Sequence, residues 1–141
     1  MKSFFQVSLL ATLFFFVVLM NFGYQNEHSS YNEAITTAQK EKKPLLLLFT
    51  ASWCGPCKQL KNDTLYPLME KLREVSVVYF VDIDKQEEQK VIKAYKNLPP
   101  QWRFGGAVPC MYLTDSEGKK LVKKNVGYMS REDFIEWFNN D

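Results

Sequence analysis

The chain of 141 residues holds one domain of ordinary size and not two. With 46% apolar and 24% charged residues, 6 Gly and 6 Pro, it is neither disordered, collagen-like nor low in complexity. A net charge of +2, from 18 basic and 16 acidic residues, demands no strongly basic face and argues against nucleic acid as a partner.

The charge is unevenly spread. Residues 1–23 carry a single charge, Lys2, and the run Phe4–Met20 is broken only by Gln6, Ser8 and Thr12. As a helix this run is ~26 Å long, just short of a hydrocarbon core of ~30 Å. A positive start followed by an apolar run reads as a signal peptide or signal anchor, an N-terminal hydrophobic helix. No small-x-small cleavage site follows Met20, which favours the anchor, and no Cys follows the run, which excludes a lipoprotein. Lys2 holds the N-terminus in the cytoplasm, so the remainder is exported, to the periplasm or the outer face of the inner membrane. Residues 24–29 read as a tether and 30–141 as the domain.

Ser29 or Ser30 caps a first helix with Tyr31, Ala34, Ile35 and Ala38 on one face, ending at Lys40–Lys43. After Pro44, Leu45–Thr50 is a continuous apolar run, the pattern of a strand buried on both faces of a parallel sheet. A helical stretch from the Cys54–Cys57 pair to about Arg73 is expected to be interrupted near Pro67. Ser76–Asp82 predicts a second buried strand and Lys85–Lys96 a helix, followed by a loop over Asn97–Ala107. Pro109–Thr114 and Leu121–Val126 predict a hairpin across Asp115-Ser116-Glu117-Gly118. Ser130 opens a last helix, with Phe134, Ile135, Trp137 and Phe138 expected inward. This order predicts an α/β sandwich around one central mixed sheet.

The chemistry lies in Trp53-Cys54-Gly55-Pro56-Cys57. Two cysteines at this spacing ligate a metal, close a structural disulfide or cycle between dithiol and disulfide. A zinc site wants four ligands, and the chain adds only Cys110 and His28, so no metal is expected. A structural disulfide closing so short a loop contributes little stability. The pair instead sits where a buried strand gives way to a helix, the edge at which α/β sheets place their sites. Cys54 at a helix N-terminus meets unpaired N–H groups that favour thiolate, and Pro56 is tolerated in the first turn. Cys57, one turn deeper, is expected to be the more buried, resolving thiol.

These residues, together with Lys58, Val108-Pro109 before a later strand and Gly127 after the hairpin, resemble the thioredoxin family over about residues 30–141. The resemblance implies a thioredoxin-like fold, Cys54 as nucleophile and Cys57 as resolving thiol, with Trp53, Gly55, Pro56 and Pro109 supporting the site. It implies a cis Val108–Pro109 bond and a substrate-binding surface that includes Val108, Pro109 and Gly127. No cofactor is implied beyond the Cys54–Cys57 disulfide itself. Lys58–Pro67 is similar to exported and membrane-attached members, and Gly-Pro between the cysteines resembles reductants more than strong oxidants. The implied function is thiol–disulfide exchange on protein substrates outside the cytoplasm, with electrons from a membrane or soluble thiol donor. A binding or assembly module without turnover and a net disulfide-donating oxidase are the rival readings.

The chain departs from the family where a buried Asp and its Lys partner usually stand: Leu48 and Phe80 occupy those places. Both are changed together, so apolar packing replaces the pair and Cys57 lacks an obvious general base. Trp102 and Phe104 are expected to close the 97–107 loop on the core, the alternative being that they cover part of the substrate groove. Cys110 is expected to be a buried, inert thiol rather than a redox partner, turned to the opposite face from Val108.

Overall fold

The computed structural model describes residues 27–140; the leader and the first residues of the tether lie outside the described residues. Among the described residues five helices and four strands follow in the expected order, the interrupted second helix counting as two. They are α1 (Tyr31–Glu41), β1 (Leu45–Thr50), α2 (Gly55–Gln59), a π-helical turn (Leu60–Leu65), α3 (Tyr66–Val75), β2 (Val77–Asp82), a 3-10 turn (Gln86–Glu88), α4 (Gln89–Lys96), β3 (Cys110–Thr114), β4 (Leu121–Val126) and α5 (Arg131–Asn139).

The strands form a mixed sheet in the order β2-β1-β3-β4. β1 pairs parallel with β2 and antiparallel with β3, and β3 pairs antiparallel with β4. All six residues of β1 are buried, because it is a central strand with helices on both faces. Alternation divides its side chains between two cores. Leu45, Leu47 and Phe49 pack with Ala34 and Ala38 of α1 and with Val91, Ile92 and Tyr95 of α4. Leu46 and Leu48 pack with Leu60 and Leu65, with Met69 and Leu72 of α3, and with Phe134 of α5.

Local chemistry explains the helix ends. Of the two serines, Ser30 is the cap of α1: its side chain accepts from Glu33 N–H at 3.2 Å. Ser130 caps α5 by accepting from Asp133 N–H at 3.1 Å. Gly118 turns the β3–β4 hairpin at φ +66°, where a Cβ would also stand 3.0 Å from Ile35 Cδ1.

Three sequence expectations need correction. The break ascribed to Pro67 lies upstream of it, in the π-helical Leu60–Leu65, while Pro67 sits comfortably in the first turn of α3. Pro67 is still its cause in part. It offers no N–H to the Asp63 carbonyl four residues back, and Arg131 supplies Nε at 3.2 Å and Nη2 at 2.9 Å instead. The extra residue also keeps the apolar side chains in phase, since Leu60 and Leu65, five apart, both reach the same core. Ile135 is 42% exposed rather than inward, because Phe134, Trp137 and Phe138 alone share the buried stripe. Cys110 does not turn away from Val108: both pack on the core that contains Phe49, as residues two apart on a strand should.

The 97–107 loop closes on the core as expected. Phe104 is 3% exposed and its ring centre lies 4.6 Å from that of Phe49, while Tyr112 Oη donates to the Trp102 carbonyl at 3.0 Å.

Candidate active site

β1 runs straight into the site. Ala51, immediately after it, packs against Cys54 and Cys57, and Ile83 and Val108 close the same cluster. The two cysteines form a disulfide, S–S 2.10 Å and Cα–Cα 5.2 Å. Cys54 caps α2, its Sγ accepting from Cys57 N–H at 3.1 Å, with Pro56 in the first turn. Cys57 is fully buried and Cys54 retains 3% exposure, so the expected order of depth holds.

Trp53 is 66% exposed, yet its indole is fixed: Nε1 donates to Asp84 Oδ2 at 2.8 Å. Asp84 N–H in turn donates to Asp82 Oδ1 at 3.1 Å. A large apolar ring is thereby presented to solvent beside the disulfide, held by the turn that follows β2. Sequence reasoning missed both aspartates; their signal was an Asp-x-Asp at the end of a buried strand.

The Val108–Pro109 bond is cis, as the resemblance implied. Gly127 N–H donates to the Pro109 carbonyl at 2.8 Å, and Gly127 adopts φ +98°, a conformation that favours glycine. The structure thus brings Cys54, Cys57 and Val108 into contact and ties Gly127 to Pro109. Val126 and Tyr128, on either side of Gly127, are 54% and 43% exposed.

Leu48 and Phe80 are partners in the β1–β2 register. Leu48 is fully buried, and both lie in the apolar core beneath α3. The Lys61 ammonium stands 5.9 Å from the centre of the Phe80 ring. Burial lowers the Lys61 pKa, and the negative charge of Asp82 opposes that shift. Cys110 is a free thiol, 1% exposed, and burial pushes its pKa up. Among the described residues no cluster of three or more His, Cys, Asp or Glu side chains is arranged to hold a metal.

Residues 31–140 match the thioredoxin-like domain family. The chain is 34% identical over 94 residues to chloroplastic thioredoxin Y of Oryza sativa subsp. japonica, an alignment covering 60% of this chain and 54% of that protein. It is 27% identical over 113 residues to the thiol:disulfide interchange protein DsbD of Neisseria meningitidis serogroup A, covering 77% of this chain and 17% of that protein. The oxidised C-terminal domain of Neisseria meningitidis DsbD aligns with a TM-score of 0.54 at 26% identity, covering 76% of this chain and 89% of that one. The chain therefore spans about half the length of the first relative and about a sixth of the second. The matched span takes in the sheet, the helices on both its faces and the capped cysteine pair: this chain belongs to the thioredoxin family.

Proposed function

We propose that the domain performs thiol–disulfide exchange on protein substrates outside the cytoplasm, in the reducing or isomerising direction. The observation that carries this reading is the Cys54–Cys57 disulfide at the head of a helix, its Sγ already aligned with a backbone donor. Reduced, Cys54 attacks a substrate disulfide as thiolate and expels one substrate sulfur, which takes up a proton. Cys57 then attacks Cys54 Sγ, the second substrate sulfur leaves, and two electrons have passed from the dithiol to the substrate. Trp53, Val108, Pro109 and Gly127 form the surface on which the substrate segment rests. A thiol donor must return the dithiol, and the similarity to an interchange protein supports such a partner.

The same similarity supports an extracytoplasmic location, and we assign residues 1–23 to export or anchoring. Among the described residues no helix is long and apolar enough to cross a membrane. Retention of the full-length protein in the membrane pellet after alkaline carbonate is the expected result for an anchor. A soluble product beginning near residues 21–26 would establish cleavage instead.

The test of the chemistry is trapping. Cys57→Ser should accumulate mixed disulfides with client proteins, whereas Cys54→Ser should accumulate none. Equal accumulation would reverse the two roles. A reduced Cys54 that alkylates no faster than a peptide thiol would favour a binding module without turnover.

A further inference from the structure

The strand register gives the domain two poles. The disulfide lies past the C-terminal end of β1, against Ala51. Leu45, at the other end of β1, is the register partner of Val77, the first residue of β2. α3 ends at Val75, so its last turn lies at the pole away from the disulfide. α5 ends there too: Lys123, paired through Leu113 to Leu46, donates from Nζ to the Trp137 carbonyl at 2.6 Å. The described chain also enters at this pole. Glu27 Oε2 pairs with Arg73 Nε at 3.1 Å, and the Arg73 carbonyl accepts from Lys43 Nζ at 2.9 Å.

Between α3 and α5 runs an apolar groove of about 380 Å³, lined by Leu68, Leu72, Val75, Phe134, Ile135 and Phe138. Val75 and Ile135 are 51% and 42% exposed, so the groove opens to the surroundings through one branched side chain from each helix. The charged residues that line it, Lys71 and Glu74, are one of each sign. An exposed apolar patch with a polar rim marks a contact surface.

We infer that this groove is the face on which the domain rests against the bilayer holding residues 4–20, an inference that rests on the anchoring proposed above. The occupant follows from where the chain enters. Six residues, 21–26, separate the apolar run from Glu27, and six extended residues reach only about 20 Å. A run inserted in the membrane therefore keeps Arg73, and Val75 two residues on, close to the lipid surface. Lys71 and Glu74 cancel in charge, so the contact is one of apolar side chains with the acyl–headgroup boundary, without attraction to anionic lipid. Two half-exposed side chains orient a domain that the leader already holds; they do not anchor it alone. The disulfide is then turned outward, because six residues of β1 at about 3.3 Å each set the poles about 20 Å apart. A thiol partner must meet Cys54 from the aqueous side.

The experiment places a photoreactive benzophenone side chain at position 135, or at position 58 beside the disulfide as control, in the full-length chain. Each protein is reconstituted in phosphatidylcholine vesicles and irradiated, and the adducts are read by mass spectrometry. Lipid adducts at position 135 should exceed those at position 58 by about tenfold, and phosphatidylglycerol should leave that ratio unchanged. Val75→Asp should cut the adduct at position 135 several-fold while the protein stays in the carbonate-washed pellet. Equal lipid adducts at the two positions would overturn the inference, as would adducts to residues 1–23 or to a second copy. An adduct that Val75→Asp leaves unmoved would also remove the groove as the contact. Protein that washes off the vesicles, or loses its leader, overturns the anchoring and the contact with it. Retained protein without lipid adducts at position 135 overturns the contact alone.

Discussion

Glu88 and Thr50 are equally buried, each 5% exposed, and lie at different ends of the polar chemistry of this fold. Glu88, in the 3-10 turn before α4, accepts from Tyr79 Oη at 2.5 Å. Thr50 Oγ1, at the end of β1, has no such partner among the described residues, and neither has Tyr95 Oη in the core around Phe49. A partnered group holds its neighbour in place, whereas an unpartnered one leaves the cost of its burial uncompensated.

Four variants break or sharpen that contrast, taken from the largest expected effect. Leu48→Asp places a carboxylate in an apolar core with no donor prepared for it, and should lower stability by about 3–5 kcal/mol, read from the urea midpoint. Adding Phe80→Lys should recover part of that loss; no recovery would mean that the two positions cannot meet as a pair. Tyr79→Phe leaves Glu88 buried without its donor and should cost about 1–3 kcal/mol. An effect below about 0.5 kcal/mol would show that Glu88 turns to solvent at no cost.

The third concerns pH. Burial raises the Glu88 pKa above its ordinary value near 4.5, against the opposing pull of the Tyr79 bond. The folded protein then binds more protons than the unfolded chain just above pH 4.5, so this group's stabilising share is complete below that pH and is lost as pH rises through the folded pKa. Glu88→Gln should flatten that part of the stability profile; a profile identical to wild type would remove Glu88 as its source. The smallest effect belongs to Ile135→Ser, expected within about 0.5 kcal/mol of wild type because the side chain is largely in solvent. A larger loss would mean that this face is covered in the full-length protein.

Much of the architecture was legible in the sequence because burial writes itself in periodicity. The unbroken Leu45–Phe49 run identified the central strand, and Ser130 with its acidic first turn identified the start of α5. The register partnership of Leu48 and Phe80 was readable too, since two changed positions matched one known pair. What escaped was geometry set by partners distant in sequence. The π turn depends on Pro67 and on Arg131, a residue 68 positions from Asp63. The idle hydroxyl of Thr50 reads in sequence as one more β-branched strand residue. Asp82 and Asp84 escaped for the same reason: their value comes from a tryptophan 31 residues before Asp84.

The π turn over Leu60–Leu65 has a mechanical meaning as well. It sets two segments of one continuous helix about 100° out of step with uninterrupted α-helix, the rotation of one residue. The first segment can take its orientation from the cysteines and the second from the sheet through Met69 and Leu72. The joint is not left loose. Thr64 Oγ1 donates to the Met129 carbonyl at 2.9 Å, and Arg131 grips the Asp63 carbonyl. Both anchors lie within four residues of Gly127, so the helix that carries Cys57 and the loop that meets Pro109 are braced against each other. Shortening the turn by one residue would therefore loosen the substrate-facing loop as well as misalign a helix.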